Sequence, residues 1–402
     1  MDKKNYKKRI LIVTHALELG GAERSLIGLL DAIDKEKYRV DLFLLRHEGE
    51  LLKMIPDKIN LLPEIPAYTV LARPMLQILK EKHILLCMAR MFGKIKALLY
   101  DKRHRYKDSG VALEYSHKYT CFLMPEIQPQ IEYDAAISFL TPHYFVKKKV
   151  HARKKIAWVH TDYTSVPVNR KSESVMWGAY DTIVAISNAA ANAFRKTFID
   201  IKSHIIVIEN ILPQRLIERQ AEEKCELSDS CFKILSIGRF CIAKNFDNVP
   251  DICRRLIEMG VDVKWYLIGF GNDEELIRQK ISENKMENRV IILGKKSNPY
   301  PYIKACDLYV QPSRYEGKCV SVKEAQMLGK PVIITAYATA SSQLENEVDG
   351  VIVPMDNETC SLEIAHLIKN KEKMNALSNN CKIRDYSNQT EVEKLYAMLE
   401  GR

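Results

Sequence analysis

The sequence has no run of about 20 apolar residues, the length a helix needs to cross a hydrocarbon core, so no membrane span is expected. It also has no Cys-x-x-Cys pair. Its 10 cysteines are scattered singly between Cys87 and Cys381, which argues against a structural zinc or a dithiol redox motif. The scatter reads as reduced, mostly buried thiols of a reducing compartment. The basic start (Lys3, Lys4, Lys7, Lys8, Arg9) and the apolar run Ile10–Leu17 look superficially like a secretory signal. The run is short, leads into Gly20-Gly21 and offers no small-residue cleavage pattern. It reads as a first strand, and the protein as cytoplasmic. No short internal repeat and no low-complexity tract is visible.

What is present suits a soluble globular chain: 402 residues, 47% apolar and 28% charged. That length exceeds one typical domain core and favours two α/β domains of about 200 residues each. The formal charge of +10 is unevenly spread. Residues 1–200 hold 33 Lys/Arg against 22 Asp/Glu, and the remainder 28 against 29. A basic first half and a neutral second half suggest a polyanionic surface partner for the first half alone. Nucleic acid is a poor match, because no recognised module or aromatic platform accompanies the charge.

Short apolar, β-rich runs alternate with longer helical patterns. Strands are expected at Arg9–Thr14, Val40–Arg46, Ala135–Phe139, Lys155–His160 and Thr182–Ile186 in the first half. In the second they are expected at Lys233–Ile237, Val263–Ile268, Val290–Leu293, Leu308–Gln311, Pro331–Ile334 and Val351–Val353. Runs such as ILIV, AAISF and PVIIT are apolar without alternation, as strands covered on both faces by helices must be. The β-then-α order implies parallel sheets. The halves meet near 205–213, and the segment from Tyr386 to Leu399 reads as a final helix.

Ligands of open parallel sheets bind beyond the carboxyl ends of the strands, and five segments sit there. Gly20-Gly21-Ala22-Glu23-Arg24 permits close backbone approach before a helix start, or is an ordinary turn; it is not G-x-G-x-x-G, which argues against a standard dinucleotide site. His160 closes one strand and could bond a substrate hydroxyl and change charge near neutral pH, or be structural. Gly238-Arg239-Phe240 with Lys244-Asn245 pairs a planar fork with a mobile point charge, which fits a diphosphate, or forms a solvated basic loop. Gly269-Phe270-Gly271 is a close-approach turn or a plain one. Glu316 and Glu324 bracket Gly317-Lys318-Cys319-Val320-Ser321-Val322-Lys323. One carboxylate could face a sugar and the other a ribose, although Ser321-x-x-Glu324 is also a capping box.

In this order the motifs resemble family 4 of the retaining glycosyltransferases: GG-A-E-R, a strand-end histidine, Ser187, Asn210, G-R-F-x-x-x-K-N, L-I-G-x-G, the Glu–seven–Glu element before EAQMLGKPVI, and Asp349–Pro354. The resemblance implies the α/β GT-B fold, two Rossmann-like α/β/α domains facing across a cleft. They would be an acceptor-binding domain at 1–208 and a nucleotide-sugar-binding domain at 209–385. A C-terminal helix at 386–402 would cross back to the first. It implies that Arg239 and Lys244 grip the donor diphosphate and that Glu324 binds the ribose. Glu316 would sit near the transferred sugar, with His160 on a sugar hydroxyl. Gly20, Gly21, Asn245, Gly269, Asn298, Cys319, Val320 and Ser321 would complete the donor site. It implies no cofactor and no metal. No clear Asp-x-Asp motif is present, and Asp247 and Asp251 are poorly placed for one. Two departures stand out: Gly317-Lys318-Cys319 where many relatives have Gly-Phe-Pro or Gly-Leu-Pro, and Tyr386-Ser387-Asn388 where Y-S-W is frequent.

The expected activity is therefore transfer of a sugar, with retention, from a nucleotide-sugar (a UDP-sugar by family habit) to a glycan or lipid-linked acceptor of a cell-surface polysaccharide. An epimerase or hydrolase of the same fold, or a non-catalytic nucleotide-sugar sensor, is the alternative. The stretch from Arg73 to Lys107 has 10 Lys/Arg and 2 acidic residues interleaved with large apolar ones. It reads as a basic amphipathic helix for an anionic membrane on the cytoplasmic side, or as a domain-packing helix with a solvated face.

Overall fold

A computed structural model describes residues 7–69, 73, 78, 80–106, 109–140, 143–164, 166–227 and 231–401. Lys3, Lys4 and Lys107 lie outside them. The chain forms two compact units, Met1–Leu212 with Gln389–Arg402, and Pro213–Asn388.

The first unit is built on a seven-stranded sheet: β1 (Lys8–Thr14), β2 (Tyr38–Leu44), β3 (Asn60–Leu61), β4 (Tyr133–Ser138), β5 (Ala152–Val159), β6 (Thr182–Ala185) and β7 (His204–Val207). Their order is β3-β2-β1-β4-β5-β6-β7, with every pairing parallel. Helices follow most strands and cover both faces. Leu11, Val13, Ala136, Ala157 and Ile183 of the sheet are buried with Phe145, Trp177 and Phe194 of these helices. The continuous apolar runs have this cause, since a parallel strand has no solvated face on which to alternate.

The last helix, Val392–Glu400, belongs to this first unit. Tyr396 stacks on Tyr38 with centroids 4.9 Å apart, and its hydroxyl accepts the Asp34 N–H at 2.6 Å. Lys8 and Lys154 donate to the terminal carbonyls of Leu399 and Met398 at 3.0 and 2.6 Å, where a helix end has unsatisfied acceptors.

The second unit has six parallel strands: β8 (Phe232–Ile237), β9 (Val263–Ile268), β10 (Val290–Gly294), β11 (Leu308–Gln311), β12 (Val332–Thr335) and β13 (Val351–Val353). Their order is β10-β9-β8-β11-β12-β13. The buried Trp265 donates to Ser236 Oγ at 2.9 Å, and Ser236 donates to the Val310 carbonyl at 2.5 Å, so this bulky side chain leaves no polar atom unmatched.

In each sheet the strand order reverses once, between β1 and β4 and between β8 and β11. The connections leaving the two strands on either side of a reversal run on to opposite faces of the sheet, and the crevice where they start is where doubly wound sheets bind ligands.

Candidate active site

In the second unit the reversal brings together the loops after β8 and β11. The first begins Gly238-Arg239-Phe240. Phe240 is fully buried and its N–H bonds to the Phe270 carbonyl at 2.8 Å, which pins the loop. Arg239 is exposed and makes no hydrogen bond or ion pair with a described residue. Lys244 ends a 3-10 turn at Ile242–Lys244. Asn245 follows in the left-handed region at φ 60°, held by Asn248, whose amide donates to its Oδ1 at 2.6 Å. Asn245 therefore shapes the turn that presents Lys244. Gly238 leaves room for the lysine stem: a Cβ there would lie 3.0 Å from Lys244 Cε.

The second loop brings Glu316 to the same place. Lys244 Nζ donates to Glu316 Oε1 and lies 3.8 Å from Cys319 Sγ. Ser313 donates to the same carboxylate oxygen at 2.7 Å. Behind it, Gln311 Nε2 donates to Ser313 Oγ at 2.9 Å and Tyr309 donates to Gln311 Oε1 at 2.8 Å. Tyr309, Gln311 and Ser313 are fully buried, so this row of hydrogen bonds runs from the sheet interior to the crevice. Arg314 ties the loops together, with its N–H on the Ala243 carbonyl at 2.8 Å and its guanidinium on both Asp247 oxygens at 2.9 and 2.7 Å. Asp247 is thus committed to Arg314, and Asp251 to Arg254, Arg255 and Asn357.

Burial alone would depress the Lys244 ammonium, but the neighbouring Cys319 sulfur and Glu316 carboxylate outweigh it and hold its pKa above the ordinary value. Burial lifts the Cys319 thiol to about 11 despite Lys244 beside it, so at neutral pH a lysine cation stands beside a neutral thiol.

The helix Val320–Met327 begins after Cys319. Ser321 is its second residue and Glu324 lies in its second turn, so the capping box expected from Ser321-x-x-Glu324 does not form. Glu324 is fully buried and accepts the Tyr300 hydroxyl at 2.9 Å. Asn298 supports that contact: its Oδ1 accepts the Tyr300 N–H at 3.2 Å, and its amide donates to the Gln220 carbonyl at 2.9 Å. Cys319, expected to help complete the donor site, has its N–H bonded to Gln343 Oε1 at 2.7 Å, and Gln343 Nε2 returns to the Cys319 carbonyl at 3.2 Å. Val320 is buried at the helix start. Gly269 serves chain packing: a Cβ there would stand 1.9 Å from the Gly238 carbonyl oxygen.

The remaining sequence-derived candidates lie in the first unit. Gly20 precedes the helix Gly21–Ala32, and the Glu23 carboxylate folds back over it, 2.1 Å from where a Gly20 Cβ would be. The negative group at this helix start is therefore Glu23 itself. His160 follows β5, with its ring 4.7 Å from that of Phe139 and its Nε2 buried without a partner among the described residues. Burial lowers its pKa to about 4, so the expected change of charge near neutral pH is absent.

Sequence reading missed Tyr309, Gln311, Ser313, Tyr300, Thr339 and Gln343. One signal was available: polar residues at 309, 311 and 313 alternate along an otherwise apolar strand, which puts them on one face. Thr339 and Gln343 left no such signal, since they reach the Glu316 carbonyl and Cys319 from 23 and 24 residues away.

Two doubly wound parallel units with a cationic pair and a carboxylate at the second reversal define the GT-B class of fold. Residues 218–384 match the family model described as glycosyl transferases group 1. Among curated proteins it is 23% identical over 231 residues to the N-acetylgalactosamine-N,N'-diacetylbacillosaminyl-diphospho-undecaprenol 4-alpha-N-acetylgalactosaminyltransferase of Campylobacter jejuni, covering 57% of this chain and 62% of that protein. It is 24% identical over 161 residues to the Escherichia coli UDP-Gal:alpha-D-GlcNAc-diphosphoundecaprenol alpha-1,3-galactosyltransferase, covering 39% and 41%. The matches thus span under two thirds of either relative. Among solved structures, HepE of Anabaena in complex with UDP superposes with a TM-score of 0.64 at 17% identity, covering 98% of this chain and 100% of that one. TarM superposes with a TM-score of 0.67 at 14% identity, covering 98% and 99%. At these identities the structural likeness establishes the fold.

Proposed function

We propose that the chain is a retaining, metal-independent glycosyltransferase of family 4. It moves a sugar from a nucleotide-diphosphate-sugar, with UDP as the favoured carrier, to a glycan or lipid-linked acceptor of a cell-surface polysaccharide. The observation that carries this reading is the buried pair of Lys244 with Glu316 at the strand reversal, with Arg239 exposed in the same loop after β8 and without a partner among the described residues. Two cations meet the charge of a diphosphate, and one carboxylate meets the hydroxyls of the sugar attached to it. UDP as carrier draws support from the UDP complex of HepE and the UDP-Gal donor in the name of the Escherichia coli relative. A lipid-linked acceptor draws it from the diphospho-undecaprenol in both relatives' names.

In this reading the bond between the anomeric carbon and the β-phosphate oxygen breaks, its electron pair leaves on the diphosphate, and Arg239 and Lys244 stabilise the charge that grows there. The acceptor hydroxyl forms the new bond from the face the diphosphate leaves and gives its proton to the departing phosphate oxygen. Lys244 must exchange part of its contact with Glu316 for phosphate, which frees that carboxylate to meet the sugar. Glu324, beneath Tyr300, is the candidate for the ribose. His160 stays neutral at working pH and would act by hydrogen bonding.

Arg239→Ala and Lys244→Ala should each lower turnover on the order of a hundredfold, by analogy with loss of an oxyanion donor. The assay is release of UDP from a panel of UDP-sugars with and without acceptor, with the product anomer read by NMR. Unchanged turnover in the purified double variant rejects the assignment. Donor consumption without any acceptor would instead mean a hydrolase or epimerase.

A further inference from the structure

The helix Ile84–His104 carries an apolar face that nothing among the described residues covers. Leu85, Met88, Phe92, Ile95 and Leu99 repeat at spacings of three and four residues, and each is between 49% and 67% exposed. Met91 and Leu98 widen the stripe, which at 100° per residue spans an arc of roughly 140°. The opposite side is the one used for packing: Leu86, Gly93 and Ala97 are buried, and a Cβ at Gly93 would lie 2.8 Å from the Tyr115 carbonyl oxygen of the helix Val111–Thr120. The helix is therefore seated on its small-residue side and turns its large apolar side outward, the reverse of an ordinary packing helix.

The charges around the stripe decide what can cover it. Lys94 and Lys96 flank its two edges, and Lys102, Arg103 and His104 follow in the last turn. Asp101, the one acidic residue of the helix, lies on the same side as Lys94, seven residues on, and is taken up by the Ser109 hydroxyl, which donates to it at 2.7 Å. The Lys96 ammonium stands 5.5 Å from the centre of the Phe92 ring, so this cation borders the apolar stripe directly. A second copy pairing through this face would set lysine near lysine with no carboxylate to receive it, whereas anionic headgroups complement every charge on the rim.

We infer that the outward face of the helix Ile84–His104 is a membrane-binding surface: the helix lies in the plane of an anionic bilayer with Leu85, Met88, Phe92, Ile95 and Leu99 in the acyl boundary. Such a surface would hold the first unit at the layer where the lipid-linked acceptor proposed above resides. The inference rests on that reading only for its purpose, since lipid binding is measured without turnover.

The test is flotation of the full chain with vesicles of phosphatidylcholine alone and of phosphatidylcholine with about one third phosphatidylglycerol. The chain should float with the anionic vesicles and release as salt rises. Met88→Glu with Ile95→Glu should cut the bound fraction at least ~10-fold, and Lys94→Glu with Lys96→Glu should remove the preference for anionic lipid. These positions are exposed, and unchanged melting of the variants verifies that they fold. Equal binding to both vesicles, or binding unaffected by Met88→Glu with Ile95→Glu, overturns the proposal. So does a concentration-dependent dimer in sedimentation that the same variants abolish without any vesicle binding.

Discussion

One carboxylate oxygen, Glu316 Oε1, receives both the Lys244 ammonium and the Ser313 hydroxyl. The serine thereby fixes which oxygen faces the lysine and leaves the other for a ligand. Ser313→Ala should keep the fold and lower kcat by about tenfold with a smaller change in donor KM, the size typical of losing an outer hydrogen-bond partner. Ser313→Thr, which retains the hydroxyl, should recover most of it. Steady-state kinetics on the three forms checks this, and an alanine variant as fast as the native protein would leave Ser313 a bystander. Elsewhere, burial raises Glu173 to about 7 and lowers His117 and His143 to about 3 each. Glu173 holds its proton more tightly folded than unfolded, so its contribution to stability is whole below about pH 4 and declines as pH rises to about 7. The histidines act in the other direction, whole above their unfolded value near 6.5 and lost as pH falls toward 3. Glu173→Gln keeps an acceptor for Trp177 and should raise stability at pH 8 by roughly 1–3 kcal/mol while changing little at pH 4, as read from thermal melts. An equal effect at both pH values would mean that the carboxyl does not titrate in that window.

At the scale of elements, the loops gain their positions from close backbone contact. Gly269 sits against the Gly238 carbonyl, so Gly269→Ala must push apart the turns after β8 and β9. It should cost about 1–3 kcal/mol and weaken donor binding together with stability; a melt and a donor titration on one preparation test that coupling, and an unshifted melt contradicts it. The strands were legible where apolar runs were continuous: every strand expected from ILIV, AAISF, PVIIT and their like is present, three of them with both ends as expected and none with an end moved by more than three residues. β3 and β7 were not legible. β3 is two residues long at a sheet edge, too short for any period to register. β7, His204–Val207, lies where the boundary between halves was placed, and its four residues cannot be told from a linker by pattern alone. The capping box failed for a related reason: Ser321 and Glu324 have the right spacing, but the helix starts one residue after Cys319, and only the contacts of Cys319 with Gln343 reveal that start.

At the scale of the molecule, two sheets of the same winding carry different surfaces. Residues 1–200 hold 33 basic against 22 acidic residues, and the outward apolar face of Ile84–His104 lies within that basic part. The second unit is near neutral overall and sets Lys244, paired with Glu316, at its strand reversal, with Arg239 exposed in the same loop. The types and order of the charged residues were readable from sequence because each follows a buried strand closely. Their mutual distances were not, since Lys244 and Glu316 are separated by 72 residues and meet only because β8 and β11 are neighbours. The claim that this reversal is a diphosphate site is tested most directly by calorimetric titration with UDP and with UMP, which differ by the β-phosphate. The native chain should bind UDP at least ~10-fold more tightly than UMP, and Arg239→Ala with Lys244→Ala should erase that difference. A double variant that still prefers UDP by the native margin would contradict it.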